Sequence, residues 1–166
     1  MPLTSAIQPY YPHWPRQYAE EAERLQPIFG LAAVEMHHVG STAVPELSAK
    51  PEIDILIVVN VAQVPDEWSQ LLHKLGYRRC GDLSPGHHFF KRDAGSVRTL
   101  KVHVCHQGHP NISEQLRFRD HLRRHPADRL RYQELKLKLE RENTRGIREY
   151  LSGKAPFINS ILGRST

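Results

Sequence analysis

Apolar residues recur along this chain with two different periods, and the change of period divides it. Tyr18, Ala22, Leu25 and Phe29 stand three or four residues apart, the spacing that lines one side of an α-helix. A helix is therefore predicted over 16–29, with Gly30 as its stop. Before it, Pro9-Tyr-Tyr-Pro-His-Trp-Pro15 predicts an extended segment laid against the body, because proline disfavours helix and aromatic rings need burial. Val34 to Val39 alternates loosely as a strand. The β-branched run Ile53 to Val59, bounded by Pro51 and Asn60, is the clearest strand. Residues 65–75 suit a helix with proline in its first turn and Gly76 beyond its end. Tyr77 to Cys80, Phe89 to Arg92 and Arg98 to Cys105 predict further strands, with Gly86 and Asp93-Ala-Gly95 as turns.

From Asn111 the pattern turns helical. Ser113 is the expected cap of a helix holding Leu116, Phe118 and Leu122, and Pro126 restarts the chain. Helices are then predicted over about 127–142, 144–152 and 154–162. Strands followed by a run of helices argue for an α+β fold. Residues 1–110 are the expected α/β core, and 111–166 a helical C-terminal extension packed on it as one compact unit.

Candidate chemistry gathers around the strongest strand. Gly40-Ser41 opens a loop of small residues, and ten residues after Ser41 the chain reaches Glu52-Ile-Asp54. Alternation puts Glu52 and Asp54 on one face and Ile53 and Ile55 on the other. Two neighbouring carboxylates at a strand start suit a divalent ion, and magnesium commonly takes one or two carboxylates plus substrate phosphates. Gly40 lets the backbone approach a phosphate, while the Ser41 hydroxyl and nearby amides, Thr42 included, can donate to it. Strand alternation sets Lys101, His103 and Cys105 on one face. His103 reads either as a half-buried structural histidine or as a ligand or general base.

Charge adds a polyanion to this picture. The net charge is +5, and residues 117–148 carry nine arginines and two lysines, so phosphates of a nucleotide or a nucleic acid are the expected partners, against a solvated helix face. Lys50, Arg92, Arg119, Arg123, Lys136 and Lys154 are candidates for holding phosphate or carboxylate. The usual aromatic-basic stacking motifs of RNA modules are missing, which leaves nucleic acid as the weaker expectation. Histidines at 37, 38, 87, 88, 103, 106 and 109 with Cys105 raise a zinc alternative, although their spacings match no closed zinc pattern. Cys80 and Cys105 form no CxxC pair and read as packing residues. With no membrane-length apolar run and no leader pattern, an intracellular, cytoplasmic protein is expected.

The order apolar, Gly-Ser, about ten residues, acid-apolar-acid-apolar resembles the signature of the nucleotidyltransferase superfamily. Within it, His38-Val-Gly-Ser-Thr-Ala-Val-Pro45, Leu47-Ser-Ala-Lys-Pro51 and Ile53-Asp-Ile55 resemble the GrpB family. So do Leu100-Lys-Val-His-Val104, Leu116-Arg-Phe-Arg-Asp-His-Leu-Arg123, Tyr132-Gln-Glu-Leu-Lys136 and Lys154-Ala-Pro-Phe-Ile158, in the family's order. The resemblance implies a nucleotidyltransferase-like mixed sheet with flanking helices, the Gly-Ser turn and acidic strand beside a nucleotide pocket, and a helical part closing over it. Three departures stand out. Glu52 replaces a usual apolar residue, Glu46 a usual glycine, and His103 lies where active nucleotidyltransferases carry a third carboxylate.

Together these readings predict an enzyme that takes ATP or another nucleoside triphosphate with magnesium. It would transfer a nucleotidyl group to a small-molecule acceptor, or adenylate that acceptor and then ligate it. Asp54, Glu52 and His103 are the expected catalytic residues, with Glu52 and Asp54 on the metal. Gly40, Ser41, Thr42, Lys50, Arg119, Lys136 and Lys154 are the expected nucleotide-binding set. The alternative is a nucleotide-binding or accessory module of the same fold without turnover.

Overall fold

The computed structural model describes residues 3–164; the expected domain limits at residues 1 and 166 lie outside the described residues. In chain order the elements are α1 (Trp14–Phe29), β1 (Ala33–Val39), β2 (Ile53–Val59), α2 (Asp66–Lys74), β3 (Arg78–Ser84), β4 (His87–Ala94), β5 (Val97–His106), α3 (Pro110–Arg124), α4 (Pro126–Glu142) and α5 (Ile147–Leu162). Five strands form one mixed sheet in the order β1-β2-β5-β4-β3. Only β2 and β5 run parallel. The fold is α+β.

Both faces of β2 are covered, which is why its sequence reads as an unbroken apolar run. One face, carrying Ile53, Ile55, Ile57, Val59, Val102 and Val104, packs on Leu25 and Phe29 of α1 and Trp68 and Leu72 of α2. The other face buries Leu56, Val58 and Cys105 under Ile112 and Leu116 of α3. Behind α3, Leu122, Tyr132 and Phe157 pack together with Val44 and Leu47, so the three C-terminal helices are fixed to the loop between β1 and β2. Among the described residues no helix is long and apolar enough to cross a membrane.

Several expected boundaries move, each for a local reason. Helix α1 begins at Trp14 because Pro15 sits in the first turn, where a missing N–H costs nothing. Helix α3 begins at Pro110, capped by His109, whose side chain accepts from the Asn111 N–H at 3.0 Å; Ser113 lies inside it and donates back to the Pro110 carbonyl at 3.1 Å. The two helices expected over 144–152 and 154–162 are a single α5 that continues through Pro156. Gly153 lets it lie on Leu139 of α4, where a methyl group would overlap that side chain. Strand β3 runs on past Cys80 to Ser84, with Gly81 at φ +82° where the register against β4 shifts, the signature of a bulge.

Glu21 of α1 is buried at 5% exposure. It accepts from both guanidinium nitrogens of Arg92, at 2.8 and 3.2 Å, and from the Tyr77 hydroxyl at 2.8 Å. This bidentate pair ties α1 to β4 on the face away from the Gly-Ser turn. Arg92 is thereby removed from the phosphate candidates.

Candidate functional site

Gly40 ends β1 at φ +75°, and a Cβ there would overlap the Asp54 carboxylate. Glycine is thus required twice, by the backbone angle and by the close approach. The chain then makes a single short helical turn, Ser41–Ala43, which presents Ser41 to a cleft of about 360 Å³ beside β2 and β5. The cleft is lined by Gly40, Ser41, Lys50, Glu52, Asp54, Lys101, His103, Lys136 and Lys154, with Phe118, Tyr132 and Tyr150 on its helical side. The Gly-Ser turn, both acids, His103 and the lysines of the loop, α4 and α5 therefore meet there.

Lys101 dominates the acidic corner. It is the cross-strand partner of Asp54 in the parallel β2–β5 ladder. Its Nζ lies 3.2 Å from Asp54 Oδ1 and 3.3 Å from Glu52 Oε2. Burial opposes charge on both partners. For Asp54, Lys101 and then His103 outweigh burial and hold the carboxyl below its usual range. For Lys101, Asp54 and then Glu52 outweigh burial and drive the ammonium well above its usual range. His103 Nε2 stands 3.7 Å from Asp54 Oδ1, and its Nδ1 shares a hydrogen bond of 2.8 Å with His87 Nε2. Burial, then the neighbouring His103 and His109, depress His87 to about 4. His87 is neutral at pH 7, so one ring of the pair donates and the other accepts.

The opposite wall is cationic, and among the described residues its lysines make no direct ion pair. Lys136 of α4 is 2% exposed and donates to Ser41 Oγ at 3.1 Å and to the Ser48 carbonyl at 2.6 Å. Among the described residues it has no acid within ion-pair distance. Burial first, then Lys154 and Lys50, bring it down to about 7. Burial, then Lys101 and Lys50, bring Lys154 to about 8. Lys50 is also lowered, by burial. The ammonium groups of Lys50 and Lys154 lie 4.1 and 4.6 Å from the centre of the Tyr150 ring, whose π face partly offsets their charge. Four lysines thus face two acids in one cleft, an arrangement that attracts anions.

A second cavity of about 510 Å³ shares Lys50, Glu52, Lys101, His103, Ile147 and Leu151 with the first and adds apolar Leu83 and Phe89, with Thr4, Arg78, Lys91, Asp93 and Arg98 also lining it. Phe89 stacks on His103 at 4.8 Å, so the imidazole stands in the wall between a polar and an apolar compartment.

Two members of the expected nucleotide-binding set lie outside the cleft lining. The Thr42 hydroxyl is held by His38 Nε2 at 2.9 Å and by the Glu52 carbonyl at 3.2 Å, and Thr42 is 1% exposed. Arg119 donates to the His38 carbonyl at 3.1 Å and to Asp120 at 2.9 Å. Arg123 likewise donates to the Ala43 carbonyl, and Arg129 to Glu46. The arginines nearest the loop thus clamp backbone carbonyls and carboxylates. Glu46 stands at φ +69°, the region that favours glycine, which gives its departure from the family pattern a physical meaning. Cys80, expected to pack, is exposed, while Cys105 is buried.

The magnesium expected at Glu52 and Asp54 meets a competitor built into the fold. A bridging cation would need oxygens of both carboxylates, and the Lys101 ammonium already contacts both. Among the described residues no group of three or more histidine, cysteine, aspartate or glutamate side chains is disposed to hold a metal, which applies to the zinc alternative as well. As arranged, these residues do not fit a resident magnesium ion.

Lys101 and Tyr150 were not singled out as site residues by the sequence, and His87 entered only through the zinc alternative. The signal for Lys101 was present in the alternation Lys101-Val-His103 opposite Asp54, but the register that pairs them belongs to the sheet.

With the geometry in place, comparison with known proteins gives it a context. The family model described as GrpB protein matches residues 4–164. The chain belongs to the GrpB family. The UPF0157 protein YqkA of Bacillus subtilis is 36% identical over 152 residues, which cover 91% of this chain and 44% of the relative, so this GrpB chain spans less than half of that protein. The crystal structure of conserved protein GrpB from Enterococcus faecalis aligns with a TM-score of 0.86 at 33% identity over 94% of each chain. A poly(U) polymerase, Cid1, in its MgGTP-bound structure, aligns with a TM-score of 0.51 at 10% identity, over 81% of this chain and 43% of its own. That likeness extends to the fold: the GrpB sheet and helices are nucleotidyltransferase-like.

Proposed function

We propose that the chain binds a nucleoside triphosphate by its phosphates in the lysine-lined cleft and transfers the nucleotidyl group to a small acceptor. The observation that carries this reading is Lys136, a cation with 2% exposure and no acid partner among the described residues, placed against the Gly-Ser turn beside Lys50 and Lys154. A buried ammonium without an ion-pair partner is costly, and a polyphosphate offsets its charge together with those of the half-buried Lys50 and Lys154. The nucleotidyltransferase-like fold makes a nucleoside triphosphate the first polyphosphate to test.

In this reading the phosphates lie along Gly40 and Ser41 with Lys50, Lys136 and Lys154 on their oxygens, and the acceptor occupies the neighbouring apolar cavity. An acceptor hydroxyl attacks the α-phosphorus and its proton passes to His103. The bond from the α-phosphorus to its bridging oxygen breaks, and pyrophosphate leaves with its charge met by the lysines. Positioning and preorganised charge supply the rate. A carboxylate acceptor would need no base and would leave as an acyl-adenylate, open to attack by an amine.

Calorimetric titration with ATP and with inorganic tripolyphosphate tests the binding step. Micromolar binding lost in Lys136→Met supports it; no binding, or binding indifferent to Lys136, refutes it. Pyrophosphate release across a panel of hydroxyl, carboxylate and amine acceptors then separates a transferase from the second reading, a binding module without turnover. That second reading is favoured by one observation: β5 presents Lys101 and His103 toward the acids and no third carboxylate.

A further inference from the structure

Lys101 reaches both carboxylates that a nucleotidyltransferase-like site would offer to a metal, and it does so from a neighbouring strand in a fixed register. The main chain of β5 cannot withdraw, because its residues are bonded to β2 on one side and β4 on the other. Glu52 has a further donor in the Thr4 hydroxyl at 3.3 Å, and Asp54 is confined by Gly40 on one side and His103 on the other. Both acids are therefore held by protein groups, and a single ammonium is shared between their two charges. What the cleft still lacks is negative charge on the side of Lys50, Lys136 and Lys154.

We propose that Lys101 is the resident cation of this cleft, and that the ligand class the cleft selects is a metal-free polyphosphate anion instead of its magnesium complex. This inference rests on the reading of the cleft as a phosphate site. A magnesium ion bound to the polyphosphate removes two of the charges that the unpaired lysines would meet, and its remaining coordination positions find carboxylates already engaged by Lys101. A free polyphosphate offers its full charge and needs nothing from Glu52 or Asp54. The two acids in turn hold Lys101 in place and keep phosphate away from the acidic corner by repulsion.

Two measurements decide the proposal, one of them without nucleotide. Manganese binding is followed by loss of its free six-line paramagnetic resonance signal, on the wild type, Lys101→Met and Lys101→Met/Asp54→Asn. The wild type is expected to bind no Mn²⁺ at this site. Lys101→Met should gain binding by at least tenfold, with a rise in Tm on adding Mn²⁺, and the added Asp54→Asn should abolish the gain. Wild-type Mn²⁺ binding lost in Asp54→Asn, or a folded Lys101→Met that gains none, overturns the proposal. The second measurement needs no variant: tripolyphosphate is titrated into wild type in chelator and in saturating Mg²⁺. At least fivefold weaker binding in Mg²⁺ is expected, and tighter or unchanged binding overturns the proposal. Should tripolyphosphate bind under neither condition, the phosphate reading of the cleft fails by itself, and the Mn²⁺ result still decides the role of Lys101.

Discussion

Replacing Lys136 by methionine should make the protein more stable near neutral pH while removing its affinity for polyphosphate. A lysine in an unfolded chain titrates near about 10.4, whereas burial, then Lys154 and Lys50, hold Lys136 at about 7 in the fold. At about 1.4 kcal/mol per pH unit, the penalty for folding around the charged side chain is about 4–5 kcal/mol at and below pH 7. The unfolded chain binds more protons between the two values, so stability from this residue rises with pH there and the penalty is gone above the unfolded pKa. Methionine removes the penalty but leaves Ser41 Oγ and the Ser48 carbonyl without their donor, at a cost of about 1 kcal/mol each. The net gain should be about 2–3 kcal/mol near pH 7, or roughly 4–12 °C in Tm for a domain of this size, and should vanish or reverse by about pH 10. Urea unfolding of both proteins across that range measures the difference directly. A stability difference that does not change with pH, or a Lys136→Met variant less stable at pH 7, would refute the argument that an uncompensated buried cation sits there.

The same lysines set the pH dependence of binding. Lys136 and Lys154, at about 7 and about 8, are partly neutral in the free cleft at mildly alkaline pH, and an anion binds their protonated forms. Tripolyphosphate affinity should therefore fall as pH rises through that window, with proton uptake visible as a buffer-dependent calorimetric enthalpy; proton release would contradict it. Arg92→Ala strands Glu21, which is 5% exposed, so unfolding free energy should drop by about 3–5 kcal/mol with polyphosphate affinity unchanged, and a loss well under about 1 kcal/mol would mean the pair is not buried in effect. Gly40→Ala forces a methyl group into the Asp54 carboxylate at a left-handed φ. Denaturant titration should show a loss of at least about 1–2 kcal/mol, and tripolyphosphate binding should weaken with it; an unperturbed variant would disprove the close approach.

Much of this architecture is legible in one dimension. The β2 run reads as a strand, and the alternation of Glu52 and Asp54 puts both acids on one side of it. The Gly-Ser turn and the ordered blocks through Phe157 indicated the family and the nucleotidyltransferase-like sheet, because local periodicity and turn chemistry are properties of neighbouring residues. Helix limits were less legible: Pro15 and Gly153 are read as boundaries, yet Pro15 sits in a first turn and Gly153 lies where α5 packs closely on Leu139 of α4.

Which charges are free was decided only by the tertiary structure. Lys101, Lys136, Arg92 and Arg119 look alike along the chain, each a cation amid mixed polarity. The parallel register sets Lys101 against Asp54, the α1–β4 contact gives Arg92 to Glu21, and the loop carbonyl of His38 takes Arg119. Lys136 alone of these four is buried without an acid among the described residues. A side chain's charge is written in the sequence; its partner comes from residues dozens of positions away, brought near by sheet order and helix packing.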